Sequence, residues 1–293
     1  MLKMNIFNEN LYKKLRKSIG TINAEFSRDW KLYEDGKKEM DYKMAVKFAN
    51  IHYSIKLVNV VLDNIKDKLD YSEGDLLHGS RKGIKGNIIP KSANTCDFGK
   101  AFYIGNNFLQ VLTLVSHEPN ATIYKFRIKD YNKLKVLKFD ANLEWALFVL
   151  ANRKYMDSDL LEKYYKSLSS MYDIIVGPIA DDRLFETMNS FSAGILFDET
   201  FLKILKDTNL GIQYACRNMN SCKKLEIVCS YKLTEIEKAI LNRYQSDRVK
   251  NTNNKVNEII DEYGNIGKRV KLIIEQKEKE VIECLEQKDM ILQ

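Results

Sequence analysis

Proline is scarce in this chain: only 3 of its 293 residues are prolines, and no low-complexity tract interrupts the sequence. So few prolines argue against long extended linkers. Hydrophobic residues make up 45% and aromatic residues 11% of the chain, a composition that can bury a core and excludes a mainly disordered protein. At this length the chain can form one full domain with sizeable additions, or two modest domains.

The five cysteines include no C-x-x-C pair, and no histidine stands near them at the spacing of a zinc site. We therefore expect reduced thiols and no metal. No apolar run is long enough to cross a bilayer, and the N-terminus lacks an apolar stretch followed by a small-residue cleavage site. These absences predict a cytoplasmic protein with no membrane partner, although a specialised secretion machine would leave no such mark.

The charge is moderately basic, with 47 Lys and Arg residues against 40 Asp and Glu residues and a formal net charge of +7. Both signs are interspersed along the chain, which is typical of a solvated surface. This balance permits an anionic partner without requiring one. Contact with nucleic acid would need a concentrated basic patch, and the sequence contains none.

The sequence divides into three regions. Residues 1–72 have apolar residues at helical spacing and predict a helical N-terminal region. Its aromatic residues could bind a partner or pack as core on the next domain. Residues 73–232 contain short β-like runs punctuated by helices, and residues 233–293 carry a narrow apolar stripe among charges, typical of a helical hairpin or coiled-coil-like arm. This arm could pack on its own domain or serve as a handle for another protein.

The middle region predicts an α+β fold. Strand-like runs occupy residues 76–78, 101–104, 122–128, 135–139, 172–176, 213–216 and 226–229. Helical patterns cover 108–116, 143–151, 159–167 and 199–205. Because strands and helices do not alternate strictly, we expect a split, mainly antiparallel sheet and not a doubly wound nucleotide fold.

Standard catalytic signatures are absent, including G-x-G-x-x-G after a strand, the P-loop, H-E-x-x-H and G-x-S-x-G. What stands out is a polar histidine closing an apolar strand, in Leu77-His78-Gly79-Ser80, followed by Asp97-Phe98-Gly99-Lys100-Ala101-Phe102-Tyr103. Small residues let a ligand approach the backbone, and a strand-end aromatic can receive a planar ring. Each residue also has a purely structural explanation, His78 as a satisfied strand-end histidine and Tyr103 as a half-buried sheet tyrosine.

These two motifs, together with Phe148-Val149-Leu150-Ala151-Asn152-Arg153 and the run from Tyr172 to Asp182, resemble a bacterial family catalogued as a domain of unknown function within the ADP-ribosyltransferase superfamily. The resemblance covers roughly residues 75–231. Four separated motifs in the right order make it specific, although each motif alone is weak.

The resemblance implies an ADP-ribosyltransferase-like core that uses NAD as co-substrate. In the branch similar to poly-ADP-ribose polymerases, a histidine bonds the nicotinamide ribose and a tyrosine stacks on the nicotinamide ring, which implies those roles for His78 and Tyr103. Gly79 then grips the carboxamide with its backbone, and Ser80 lies beside it. The implied NAD-binding residues are His78, Gly79, Ser80, Asp97, Phe98, Gly99, Tyr103 and Arg153.

The third catalytic position of that branch is normally a glutamate, and Gln213 stands there in Ile212-Gln213-Tyr214-Ala215-Cys216. A glutamine can orient a hydroxyl but cannot act as a base or offset positive charge. Either transfer is limited to one ADP-ribose unit with the acceptor supplying its own acid or anion, or the carboxylate comes from Asp181-Asp182. An aspartate pair there could equally cap a helix or form a solvated turn.

Two further residues keep alternative roles. Arg153, after an amphipathic helix, could neutralise the NAD pyrophosphate or form an intramolecular salt bridge. Asp97 could cap the loop before the second strand or contact the ligand.

The resemblance as a whole implies a mono-ADP-ribosyltransferase that modifies a protein or nucleic acid. Such proteins act as toxins of toxin–antitoxin pairs, interbacterial effectors or phage-encoded modifiers, so the helical segments could bind an antitoxin, chaperone or target. The basic balance favours RNA as one possible acceptor. The alternative is a catalytically inactive NAD-fold binding module that acts through its helical arms.

Overall fold

The computed structural model describes residues 10–179, 182–208, 211–264 and 266–291, with the backbone alone at residues 182–185, 208 and 288–291. The chain forms two compact units built from alternating segments. Unit 1 comprises Met1–Ile84, Phe108–Lys125 and Ile227–Arg248, and unit 2 comprises Lys85–Asn107, Phe126–Glu226 and Val249–Gln293. Within the described ranges no helix combines the length and the apolar character needed to cross a membrane.

The α+β class is confirmed. The helices are α1 (Leu11–Ile19), α2 (Ala24–Glu34), α3 (Tyr42–His52), α4 (Ile55–Leu69), α5 (Phe108–Val115), α6 (Leu143–Arg153), α7 (Asp159–Ser170), α8 (Asp182–Ser192), α9 (Asp198–Thr208), α10 (Met219–Cys222), α11 (Glu235–Tyr263) and α12 (Val270–Ile291). The strands are β1 (Leu76–Ser80), β2 (Phe102–Gly105), β3 (Thr122–Ile128), β4 (Val136–Lys138), β5 (Ile174–Pro178), β6 (Ile212–Cys216) and β7 (Leu225–Lys232). All seven predicted runs form strands, mainly antiparallel, whereas α8 and α10 were not predicted.

The core of unit 1 is built largely from its N-terminal helices. The Ser54 hydroxyl caps α4 by accepting a hydrogen bond from the backbone N–H of Leu57 at 3.2 Å. Five apolar residues of α4 are almost fully buried on one side of the helix, namely Leu57, Val58, Val61, Ile65 and Leu69. Trp30 and Phe48 stack with ring centroids 5.3 Å apart, so these two aromatic residues belong to the core.

A buried carboxylate lies where β7 leads into α11 in unit 1. Glu237 is fully buried and accepts hydrogen bonds from the Thr234 backbone N–H and hydroxyl, both at 2.8 Å. The Asn64 amide donates to it at 2.9 Å, and the Tyr231 hydroxyl at 3.1 Å. Several donors are needed because an ion taken out of water must regain the hydrogen bonds that it loses.

Unit 2 holds four adjacent strands in the order β4-β5-β6-β2. β4 and β5 are parallel, whereas β6 is antiparallel to both β5 and β2. Tyr103 pairs with Ala215, and Gly177 pairs with Gln213. Because paired residues share a face and side chains alternate along a strand, Tyr103, Gln213 and Gly177 all lie on one face.

Helix α6 supports this face from within the core. Its seven consecutive residues from Trp145 to Ala151 are all buried, so the expectation of an amphipathic helix was wrong: a helix that is apolar all round is buried all round. Asn142 caps its start by accepting from the Trp145 N–H at 3.0 Å. The helix ends at Arg153, because Lys154 adopts the left-handed conformation at φ 61°.

The second C-terminal helix packs on unit 2. Val270, Ile273 and Val281 of α12 are buried in the unit 2 core, and Lys277 pairs with Glu144 at 2.8 Å. This is the packed arrangement left open by the sequence. Three other apolar residues of α12 are 44–55% exposed, namely Leu272, Ile282 and Leu285.

The Glu237 cluster predicts a pH dependence of stability. Burial raises the pKa of the Glu237 carboxyl above its ordinary value, although the surrounding hydrogen bonds oppose this shift. The folded state therefore binds a proton at a higher pH than the unfolded chain does. We expect wild type to gain stability relative to Glu237→Gln as the pH falls from about 8 to about 5, because glutamine cannot take up that proton.

Urea unfolding of both proteins at several pH values measures this difference. We expect the free energy of unfolding of wild type to rise relative to that of Glu237→Gln as the pH falls. If this difference stays constant, or if it decreases on acidification, the raised pKa of Glu237 is contradicted.

Candidate functional site

The loop before β2 lies at the centre of a polar cluster in unit 2. It is closed by Ser92, whose hydroxyl accepts from the Ala101 N–H at 2.9 Å. Phe98 anchors the loop in the core, where it is fully buried and its ring centroid is 5.9 Å from that of Phe148. A buried aromatic of this size fixes the position of its neighbours in the chain, Asp97 and Gly99.

The Asp97 carboxylate binds side chains from two distant elements. Arg153, at the end of α6, donates from Nε to Asp97 Oδ1 at 2.7 Å, and its Nη2 donates to the same oxygen. Gln213, on β6, donates from Nε2 to Asp97 Oδ2 at 2.7 Å. The side chains of Asp97 and Arg153 are only 9% and 15% exposed. Their ion pair is therefore shielded from water, where removal of one partner leaves a costly uncompensated charge.

The Gln213 amide makes a second hydrogen bond, from Nε2 to the backbone oxygen of Pro178 at 3.1 Å. Both partners of Nε2 are acceptors, which assigns the orientation of the amide group. Oε1 of Gln213 accepts no hydrogen bond from the residues that the structure describes. This oxygen is the atom of Gln213 that a ligand could use.

The Tyr103 hydroxyl ties the same loop to β2. It donates to the Gly99 backbone oxygen at 2.7 Å and accepts from the Phe98 N–H at 3.0 Å. Burial raises the pKa of this hydroxyl well above its ordinary value, and the charge of Asp97 adds to the shift. The hydroxyl therefore stays protonated and keeps its role as donor, while the ring is half-buried.

Arg217 is a site residue that the sequence did not reveal. Its Nη1 donates to the Phe98 backbone oxygen, and its Nη2 donates to the Ser169 hydroxyl at 3.2 Å. Burial lowers the pKa of its guanidinium. The available signal was a basic residue directly after β6, which is too common to single out.

Two glycines allow the loop to pack so closely. A Cβ on Gly177 would lie 2.9 Å from the Phe98 ring, and one on Gly99 would lie 2.6 Å from Arg217 Nη1. Gly99 also has a φ of +71°, where a side chain is strained.

Three predicted residues, His78, Gly79 and Ser80, lie on β1 in unit 1 and are partly exposed. A Cβ on Gly79 would lie 2.9 Å from both the backbone oxygen of Val111 and the Cγ1 of Val115. The glycine therefore lets α5 pack directly against β1, whatever its role towards a ligand.

The predicted pair Asp181 and Asp182 contributes no described side chain: Asp181 and the side chain of Asp182 lie outside the described residues, and Asp182 begins α8. Among the residues whose side chains are described, no group of three or more His, Cys, Asp and Glu residues could hold a metal ion.

Comparison with known families places this cluster in context. Residues 75–227 match the family described as Protein of unknown function (DUF3990). The chain belongs to the DUF3990 family. No curated protein matches it, and no solved structure does. The matched segment of this DUF3990 protein contains His78 and all the residues of the polar cluster around Asp97, namely Tyr103, Arg153, Gln213 and Arg217.

The packing around Gly99 predicts the effect of adding a methyl group. Gly194→Ala is a matched control, because Gly194 has a φ of +70° with nothing within 4 Å of its Cβ position. We expect backbone strain to lower the free energy of unfolding by about 1–2 kcal/mol in Gly194→Ala. Gly99→Ala should cost about 1–3 kcal/mol more, because Arg217 loses its hydrogen bond to the loop.

Chemical denaturation measures both values in this DUF3990 protein. Equal losses in the two variants would mean that Arg217 moves aside without cost.

Proposed function

We propose that this DUF3990 protein is a mono-ADP-ribosyltransferase, a member of the ADP-ribosyltransferase superfamily that uses NAD as co-substrate. The observation that carries the proposal is that Gln213 binds Asp97 and lies on the same face of unit 2 as Tyr103, although it is 116 residues away from Asp97 in the chain. Their convergence is what a binding site requires and what unrelated sequence coincidences do not supply.

The proposed reaction breaks the bond between nicotinamide and the ribose carbon C1′. The bonding electrons leave with nicotinamide, positive charge develops on the ribose, and a nucleophile of the acceptor bonds to C1′ and releases its proton to solvent. The Tyr103 ring stacks on nicotinamide, whereas contact of His78 with the ribose and of the Gly79 backbone with the carboxamide are roles that the resemblance alone implies. Ser80 lies beside that contact.

Gln213 binds a ribose hydroxyl through Oε1 and does not act as a base, because an amide does not take up a proton at neutral pH. The carboxylate of Asp97 is already paired with Arg153. Arg153 is accordingly engaged within the protein, which favours its salt-bridge role over neutralisation of the pyrophosphate. The acceptor therefore supplies the acidic or anionic group that position 213 lacks, which suits the transfer of a single ADP-ribose unit.

The acceptor is a protein or a nucleic acid. The resemblance extends the proposal to a cytoplasmic setting and to a toxin, interbacterial effector or phage-encoded modifier, with an antitoxin, chaperone or target bound through the helical segments. The exposed residues Leu272, Ile282 and Leu285 of α12 are available for such contact.

Release of nicotinamide from NAD by the purified protein tests the proposal. We expect release by wild type and loss of release in His78→Ala. Tyr103→Ala should weaken NAD binding about 5- to 150-fold, because stacking of a ring on an aromatic side chain contributes about 1–3 kcal/mol. Tyr103→Phe is the matched control: it keeps the ring and should keep NAD affinity while losing the hydroxyl contacts to the loop.

Thermal unfolding of each variant separates loss of binding from loss of fold. A wild-type protein that neither binds NAD nor releases nicotinamide would overturn the transferase and favour an inactive binding module that acts through its helices.

Labelled NAD incubated with cell lysate identifies the acceptor class. We expect covalent label in the macromolecular fraction with wild type and much less label with Tyr103→Ala at the same NAD concentration. Label lost on protease treatment marks a protein acceptor, and label lost on ribonuclease treatment marks RNA. Label that stays entirely in small molecules would argue for NAD hydrolysis and against transfer to a macromolecule.

A further inference from the structure

We infer that Asp97, held by Arg153, is a positioning residue that locks the orientation of the Gln213 amide and leaves Oε1 as the atom that faces a ligand. This point of the site then accepts a hydrogen bond from a neutral donor, such as a sugar hydroxyl, and rejects phosphate or carboxylate. The identification of the donor as a hydroxyl of NAD rests on the proposed function. The locking itself rests on the contacts within unit 2.

The amide has one orientation that satisfies its neighbours. Nε2 carries two hydrogens, and its two contacts, Asp97 Oδ2 at 2.7 Å and the Pro178 backbone oxygen at 3.1 Å, are both acceptors. A flipped amide would place Oε1 against two oxygens. Oε1 therefore points away from both, and position 213 offers a ligand an acceptor and not a donor.

The charges of the cluster explain why an amide stands at this position. Asp97 and Arg153 form a nearly buried pair whose charges compensate each other. A glutamate at position 213 would bring a second carboxylate against Asp97 and the Pro178 oxygen, where all three groups are acceptors. Like charges at this distance cannot both stay ionised without cost. The same reasoning disfavours an anionic ligand group beside Oε1.

Asp97 acts on the ligand through Gln213 and not directly. Its Oδ1 receives the Arg153 guanidinium and its Oδ2 receives the Gln213 amide. A carboxylate engaged on both oxygens is poorly placed to accept a proton from a substrate. The whole residue Asp97 is 7% exposed, which agrees with a supporting position behind the glutamine.

An exchange of donor and acceptor tests the lock. In Asp97→Asn with Gln213→Glu, an asparagine amide can donate to a glutamate carboxylate across the same contact. We expect each single variant to lower the folding equilibrium constant by about tenfold or more, and the double variant to recover at least about tenfold over the product of the singles. Urea unfolding measures all four proteins.

Asp173→Asn supplies the matched control. Asp173 precedes β5 at the end of the strand pair away from Gln213, and its carboxylate accepts from the Lys135 N–H at 2.9 Å and from two asparagine amides. Combined with Gln213→Glu, it should give additive losses, because distant sites without shared partners do not couple.

A spectroscopic readout distinguishes positioning from general stabilisation. The side-chain amide resonance of Gln213, followed by NMR with ¹⁵N labelling, should shift in Asp97→Asn and stay in place in Asp173→Asn. NAD titration then reports the ligand-facing atom: the exchanged double variant keeps an acceptor at position 213 and should bind NAD within about tenfold of wild type, whereas Gln213→Leu should bind about tenfold more weakly or worse.

The outcomes separate this inference from the proposed function. Additive losses in the exchange, an unmoved Gln213 resonance in Asp97→Asn, or a Gln213→Glu protein as stable as wild type would each overturn the lock. If wild type fails to bind NAD while the exchange recovers stability and the resonance shifts, the transferase proposal fails and the lock stands. Equal NAD affinity in Gln213→Leu and wild type would overturn the role of Oε1.

Discussion

The buried carboxylate of Asp97 is the constraint on which the candidate site depends. A carboxylate removed from water must be surrounded by donors, and the chain supplies them from positions 56 and 116 residues away. This requirement joins the end of α6 to the start of β6 and fixes the loop before β2 between them. The site is thus organised by an electrostatic demand as well as by apolar packing.

The same loop is held from its other side by its backbone. Tyr103 bonds the backbone of Phe98 and Gly99, and Arg217 bonds the Phe98 oxygen. Phe98 supplies the apolar anchor, and the missing side chain of Gly177 makes room for its ring. The carboxylate and the backbone of the loop are thus both engaged within unit 2.

Much of the architecture was predictable from local pattern. Most of the strands and the helices of the N- and C-terminal regions follow apolar periodicity, because such an element buries one face and exposes another. Strand β5 is instead buried on both faces and appears as a continuous apolar run. Helix α8 was missed although its apolar residues recur at helical spacing. Helix α10 was missed because four residues are too few to show a period. Asp97, Tyr103, Arg153 and Gln213 were selected as candidates by resemblance, but nothing in their spacing along the chain predicts that Asp97 binds Arg153 and Gln213.

The sequence by itself determined the α+β class and the positions of most elements, because these depend on composition and on neighbours three or four residues away. Its resemblance to a family supplied a short set of candidate residues. Tertiary structure alone decided that Arg153 pairs with Asp97, that Gln213 donates to that carboxylate, and that Arg217 belongs to the cluster. The physical reason is that a hydrogen bond requires its two atoms to lie about 3 Å apart. For residues far apart in the chain, that distance is set by strand register and helix packing, which no local pattern encodes.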